Sequence, residues 1–432
     1  MAGKNRPKRG RGRKVGAGML AVAAVMAVGF LFTSGTLEIN LDNLNRTIID
    51  VSSGMSNIED VPSIIQDAGE TAIEVIPPIE DVPSIIQDAG ETAIEVIPQL
   101  EYQTATIPEM RQYMLELINV ERTSAGLVPV KLGDNPAAQI HAKDMLENCF
   151  GGHWGTDGLK PYMRYSLAGG YQYNAENVSG LSYCIKPYEN YSVTPPKQDV
   201  REAISGFMAS PGHRDNMLDP HHRTVNIGIA WDKHNMKIAQ HFEHAYIHFD
   251  ELPSIDNGVL SFSAMARNIN LSYDITASIS YDPPPHSLTP GQLAHTYCYP
   301  YGQTVAAILE PPEPGSFYGD DSYLEESTPC PNPYDMPPET PAPASPEQAL
   351  KAHEDAKRRS QTATNLTHTV PFLMADRWDQ SPIRFDVSVD IGDVLEEHGP
   401  GVYTVMIGDF VTGKYILLSV YSIFHGMDYS WP

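Results

Sequence analysis

The chain of 432 residues predicts an α+β fold: helices flanking a small sheet, followed by an all-β, sandwich-like domain, with one transmembrane helix and an acidic stalk ahead of both. Three observations carry this. Apolar residues recur at helical spacing in residues 107–124 and 199–208, as with Val200, Ala203, Ile204, Phe207 and Met208. Residues 226–231 and 236–242 alternate as two strands joined by a polar turn. Beyond residue 250 the period-two pattern takes over and persists to the C-terminus.

The elements are legible in order. Residues 1–14 form a basic tail with seven positive and no negative side chains, and an uncharged, mostly apolar run follows at residues 15–32. No charge occurs before Glu38, so at about 1.5 Å rise per residue the stretch can cross a hydrocarbon core of roughly 30 Å. The Lys/Arg excess on its N-terminal side predicts a cytoplasmic N-terminus and exported domains. If the apolar segment is instead cleaved as a signal peptide, the remainder is secreted. Residues 33–106 read as a semi-rigid acidic stalk containing two identical copies of IEDVPSIIQDAGETAIEVIP, at 58–77 and 79–98. Two copies are too few for a solenoid.

A first globular domain spans residues 107–250. Thr106 and Glu109 have capping-box spacing ahead of Met110, Met114, Leu117 and Ile118. A second helix starts at Asn135 and Pro136 and turns His141 into the core. A third has Asp199 as its cap, and Pro211 and Gly212 end it before His213. Residues 255–432 form the β-rich domain, a small immunoglobulin-like sandwich of six to eight strands. It is interrupted by a proline-rich insert at about 328–346 and a charged helix from Ser345 to Arg359, and residues 401–424 read as a closing hairpin.

Charge and cysteine content restrict the function. The net charge is −25, and near −32 beyond Lys14, a balance that repels phosphate backbones, so nucleic acid is not an expected partner. Four cysteines in an oxidising compartment predict two disulfides, with domain logic favouring Cys149 with Cys184 and Cys298 with Cys330. Sequons at Asn45, Asn177, Asn190, Asn270 and Asn365 permit glycosylation where the host performs it.

Three segments concentrate polar chemistry: GGHWGTDG (151–158), AENVSG (175–180) and SPGHRDNML (210–218). Glycine and proline surround His153, Glu176 and His213, so each side chain is expected on a sharply turning loop aimed into a cleft. Two neutral imidazoles and a carboxylate are a competent Zn²⁺ set with a fourth position for water, and the competing expectation is that the three hydrogen-bond one another to fix the loops. Ser210, three residues before His213, offers a serine beside a base but no third orienting group or oxyanion element. HExxH and GxSxG motifs do not occur. The further histidines His221, His222, His234, His241, His244 and His248 are expected on the surface, with His241 facing away from His244 and His248.

These segments, with LINVERTSAGL, NIGIAW, IAQHF and Arg164, resemble the CAP domains of cysteine-rich secretory proteins, antigen 5 and pathogenesis-related proteins, in their shorter prokaryotic, SCP-like extracellular form. The resemblance covers about a third of the chain. It implies an α-β-α sandwich whose cleft is lined by His153, Glu176 and His213. The place of a second glutamate found in longer relatives falls at or near Ser210, and Ala175 stands where glycine is commoner. The resulting expectation is a membrane-anchored, non-enzymatic surface protein that binds an extracellular lipid, glycan or protein, with Zn as a candidate cofactor. A zinc-assisted hydrolase of peptide or cell-wall bonds and an adhesive, structural module are the alternatives.

Overall fold

The computed structural model describes Tyr102 and residues 104–180, 182–186, 194–272, 274–315, 321–326, 330–362, 366–411 and 413–429. The expected basic tail, membrane segment and repeat stalk lie outside them. Among the described residues no helix is long and apolar enough to cross a membrane.

Residues from 104 onward form one compact unit of mixed helix and sheet. Its first part comprises α1 (Ile107–Ser124), β1 (Lys131–Leu132), α2 (Ala137–Glu147), α3 (Pro161–Leu167), β2 (Asn174–Ser179), α4 (Pro196–Ala209), α5 (Pro211–Met217), β3 (Thr224–Trp231) and β4 (Met236–Glu243). The strands lie in the order β1-β3-β4-β2. On one face, Val225, Ile227 and Ile229 of β3 and Ile238 and Phe242 of β4 meet Met110, Met114 and Ile118 of α1 and Val200, Ile204 and Phe207 of α4. On the other, Ala239 packs with Ala138 and Met145 of α2. The α2 backbone approaches so closely that a Cβ on Gly228 would sit 1.9 Å from the Ala138 carbonyl oxygen, which is why β3 has glycine there.

The α1 start is the expected capping box. Thr106 N–H donates to Glu109 Oε2 at 3.0 Å and Glu109 N–H donates to Thr106 Oγ1 at 3.4 Å. Thr106→Ala is expected to cost about 1 kcal/mol, read as a lower urea midpoint; an unchanged midpoint would show that the cap is dispensable.

Two local expectations need correction. Asp199 is not the α4 cap: Pro195 occupies that position with Pro196 opening the helix, leaving Asp199 in the first turn, because proline supplies the helical φ and lacks the N–H that would go unsatisfied there. Glu176 and His213 are not on turning loops either. Glu176 lies on β2, paired along its length with β4, and Pro211 starts a new short helix that carries His213.

The second part comprises β5 (Ile247–Asp256), β6 (Val259–Ala266), β7 (Thr276–Asp282), α6 (Pro290–Leu293), β8 (Gln303–Leu309), β9 (Asp321–Glu326), a 3₁₀ turn at Pro333–Asp335, α7 (Pro346–Thr362), β10 (Leu366–Met374), β11 (Arg377–Ser381), β12 (Arg384–Asp390), α8 (Gly392–His398), β13 (Gly401–Val411) and β14 (Lys414–His425). A six-stranded sheet, β14-β13-β7-β8-β10-β9, and a four-stranded sheet, β11-β12-β6-β5, share a core built from Leu260, Phe262, Ile279, Phe385, Val387, Val405 and Ile407. Among the described residues ten strands replace the six to eight expected, and the short helices α6 and α8 interrupt the all-β pattern. β8 and β10 run parallel, a pairing that needs a long crossover, here the segment containing β9 and α7. The closing hairpin is β13 and β14.

The two parts are joined through α3. Tyr162 and Met163 of α3, with Leu159 just before it, pack on Val402 and Val420. Buried Lys160 Nζ and Tyr162 Oη both donate to the Asp282 carboxylate at 2.6 Å. The disulfides join Cys149 to Cys184 and Cys298 to Cys330, the favoured pairing.

Candidate functional site

Pairing of β2 with β4 sets Glu176 opposite His241, on the sheet face covered by α2 and α3. Both residues are buried, as is Arg164 on α3. Three donors meet the Glu176 carboxylate. Oε1 faces His153 Nδ1 at 2.8 Å, while Oε2 takes Arg164 Nη2 at 2.5 Å and His241 Nε2 at 2.7 Å. Arg164 Nη2 also donates to the His153 carbonyl at 2.8 Å, and Nη1 to the Leu159 carbonyl at 3.1 Å. Burial alone would raise the Glu176 pKa, but Arg164 and the surrounding imidazoles outweigh it and hold the carboxyl well below the usual range. At neutral pH the centre is therefore a charged carboxylate under a guanidinium and two imidazole N–H donors.

His213 stands beside this network without joining it. Asn177 Nδ2 donates to its carbonyl at 3.1 Å, and its ring lies edge-on to Phe207 at 5.2 Å. Among the described residues its ring makes no hydrogen bond to His153 or Glu176. Burial first, then the neighbouring His153 and His353, lower its pKa to about 4. Ser210 is the residue before α5 and makes no side-chain capping bond. Asn177 is fully buried, with its amide also donating to Gln240 Oε1 at 3.3 Å, so its sequon is closed to glycosylation in the folded chain.

The chain also covers its own cleft. His153 N–H donates to the Thr296 carbonyl at 3.1 Å and Trp154 Nε1 to the Cys298 carbonyl at 3.2 Å. The Tyr299 ring lies 5.0 Å from that of His153. Contact is close enough that a Cβ on Gly152 would meet Thr296 Oγ1 at 2.0 Å. The Cys298–Cys330 disulfide anchors this segment, and α7 adds His353 edge-on to Tyr297 at 4.9 Å and an Arg359 guanidinium donating to His295 Nδ1 at 3.0 Å. His153 retains 8% exposure as a result.

The surface expectation is overturned for three of the six later histidines: His222, His241 and His244 are all at most 3% exposed, while His221, His234 and His248 are half-buried. His241 lies on β4, which with β3 is covered on both faces, so a polar residue there is buried at either phase of the alternation and requires a partner. For His241 that partner is Glu176. Arg164 and His241 are thus central residues to which the sequence assigned no role. The available signal was the polar pair Gln240 and His241 between the apolar residues Ala239 and Phe242.

Three donors converge on the Glu176 carboxylate, one on Oε1 and two on Oε2. Glu176 suits the outer position of a metal centre, holding the Nδ1–H of His153 and leaving its Nε2 free to ligate. The imidazoles of His153 and His213 would hold an ion there, and zinc so held would act as a Lewis acid.

Residues 115–246 match the model of the CAP, cysteine-rich secretory protein family. Among solved structures the chain is similar to an extracellular protein containing a SCP domain from Bacillus anthracis, at 20% identity over 33% of this chain and 44% of that one, with a TM-score of 0.25. An outer surface protein from Borrelia burgdorferi matches at 13% identity over 33% of this chain and 97% of that one, TM-score 0.25. The CAP domain of enterococcal PrgA matches at 15% identity over 44% of this chain and 79% of that one, TM-score 0.24. The chain spans less than half the length of the Bacillus protein. No curated protein sequence matches it.

Proposed function

We propose that this chain, whose residues 115–246 are a CAP domain, is a membrane-anchored, outward-facing binding module and not a hydrolase. The observation that carries the reading is the engagement of Glu176 by three donors, Arg164, His153 and His241. A zinc hydrolase needs about three protein ligands and an open position, and a general base near the attacking water. Here the one buried carboxylate of the cleft is committed to fixing its floor, and the segment around Tyr299 lies across the mouth. The basic tail and uncharged run at residues 1–32 support the anchor, and the two disulfides suit an extracellular setting. An extracellular lipid, glycan or protein is the ligand class, and a divalent ion on His153 and His213 is an accessory to binding.

The test is a zinc titration of the full chain beside peptide and cell-wall glycan cleavage panels. Cleavage is expected to be absent with or without zinc, and zinc affinity at the cleft to drop by about tenfold or more in His153→Ala and His213→Ala. Zinc-dependent cleavage lost in either variant would establish the hydrolase instead.

A further inference from the structure

A second group of potential ligands lies apart from the Glu176 network, where the loop after α5 meets the β4-to-β5 connection. Asp219, His222 and His244 each present a donor atom within 4.8 Å of the others. His222 is 1% and His244 3% exposed, and two of their nitrogens, His222 Nδ1 and His244 Nε2, have no hydrogen-bond partner among the described residues. Buried imidazole nitrogens left without partners are costly and uncommon in a folded protein.

The surroundings orient these rings for ligation. His244 Nδ1 faces the Leu417 carbonyl at 2.8 Å; a carbonyl only accepts, so Nδ1 carries the proton and Nε2 keeps a lone pair. This is the backbone-carbonyl arrangement that fixes metal-binding histidines. Tyr173 stacks parallel to His222 at 6.3 Å and lies 4.5 Å from His244, while Phe242 packs on His222 from 5.4 Å. Asp219 Oδ1 receives the His221 N–H at 2.7 Å, which leaves Oδ2. The Arg122 guanidinium holds the loop by donating to the carbonyls of Met217, Asp219 and His222. Asp219 is half-buried and opens the group toward solvent.

We propose that Asp219, His222 and His244 form a divalent-metal site for zinc or a similar borderline ion, with water as the fourth ligand. Two imidazole nitrogens and one carboxylate oxygen match the donor preference of Zn²⁺, and the hard cations Ca²⁺ and Mg²⁺ favour all-oxygen sites. The site is independent of the cleft reading above.

The full chain, purified in detergent and stripped with a chelator, is titrated with ZnCl₂ by calorimetry, with zinc-edge X-ray absorption on the loaded protein. The background is the His153→Ala/His213→Ala double variant, which removes the cleft imidazoles. One zinc per chain with nitrogen and oxygen neighbours is expected to remain there, and its affinity to fall about tenfold or more on adding Asp219→Asn or His244→Gln. Absence of zinc from the double variant, or affinity unchanged by Asp219→Asn, overturns the proposal. Should His244→Gln lose its near-ultraviolet circular dichroism, the less buried Asp219→Asn decides alone. Failure of the cleft reading is separate: it shows as wild-type zinc binding unaltered by the double variant.

Discussion

Glu176→Ala is expected to destabilise the chain by about 3–5 kcal/mol, the cost of removing one partner from a buried ion pair. The magnitude follows from what the substitution strands. Arg164, 3% exposed, keeps its carbonyl contacts but loses its counter-charge. His153 Nδ1 and His241 Nε2 lose their acceptor in a space where water does not readily replace it. Loss of native packing should extend to the covering segment, because His153 also bonds to Thr296. Glu176→Gln keeps the shape and one acceptor oxygen but turns an amide N–H₂ toward existing donors, so it should fall between wild type and alanine. Urea denaturation of the three proteins ranks them. A Glu176→Ala midpoint indistinguishable from wild type would mean that the network does not hold the cleft together.

What the sequence disclosed depended on the physical range of each signal. Helices α1 and α4 were visible because their apolar stripes are long, and the capping box at Thr106 because its two partners are three residues apart. The β3–β4 hairpin and both disulfide pairs were also legible, the latter from their grouping along the chain. His153 and Glu176 stood out as polar residues in unusual surroundings, but the spacing between 153, 176, 164 and 241 contains no information about which donor meets which oxygen. That information resides in the β2–β4 register, which sets Glu176 opposite His241. Nor could the sequence reveal that residues 296–299 cover the cleft, since that contact is made by a segment more than a hundred residues away and outside the CAP resemblance. His222 and His244 were expected on the surface because an extended strand spreads its histidines over two faces; a Tyr173 ring brought in from just before β2 packs against them instead.

Acidification is expected to unfold the metal-free chain well before its carboxylates protonate in bulk. Burial, followed by the nearby Arg164, lowers His141 to about 3, and burial lowers His241 despite its bond to Glu176. His213 is lowered to about 4. In the unfolded chain the same imidazoles titrate near pH 6.5. Their folded values lie below their unfolded ones, so the unfolded state binds more protons between the two; the stabilisation is complete above about pH 6.5 and lost as pH falls toward the folded values. Each such histidine contributes a slope of about 1.4 kcal/mol per pH unit in that window, so His141 and His213 together should remove about 2–3 kcal/mol between about pH 6 and pH 5, with His241, His222 and His244 adding in the same direction. Glu176 adds a later loss: its folded pKa is depressed, so its contribution holds above the ordinary carboxylate value and disappears as pH falls through the folded one. Urea midpoints measured in chelator at a series of pH values read the slope directly. His141→Gln should flatten it by one histidine's share, while retaining a side chain able to reach the Gly152 carbonyl that His141 Nε2 contacts at 2.8 Å. Stability that stays level from about pH 7 to about pH 5 would mean that these imidazoles take up protons in the folded chain as readily as in water, which the burial of His141 and His241 does not permit.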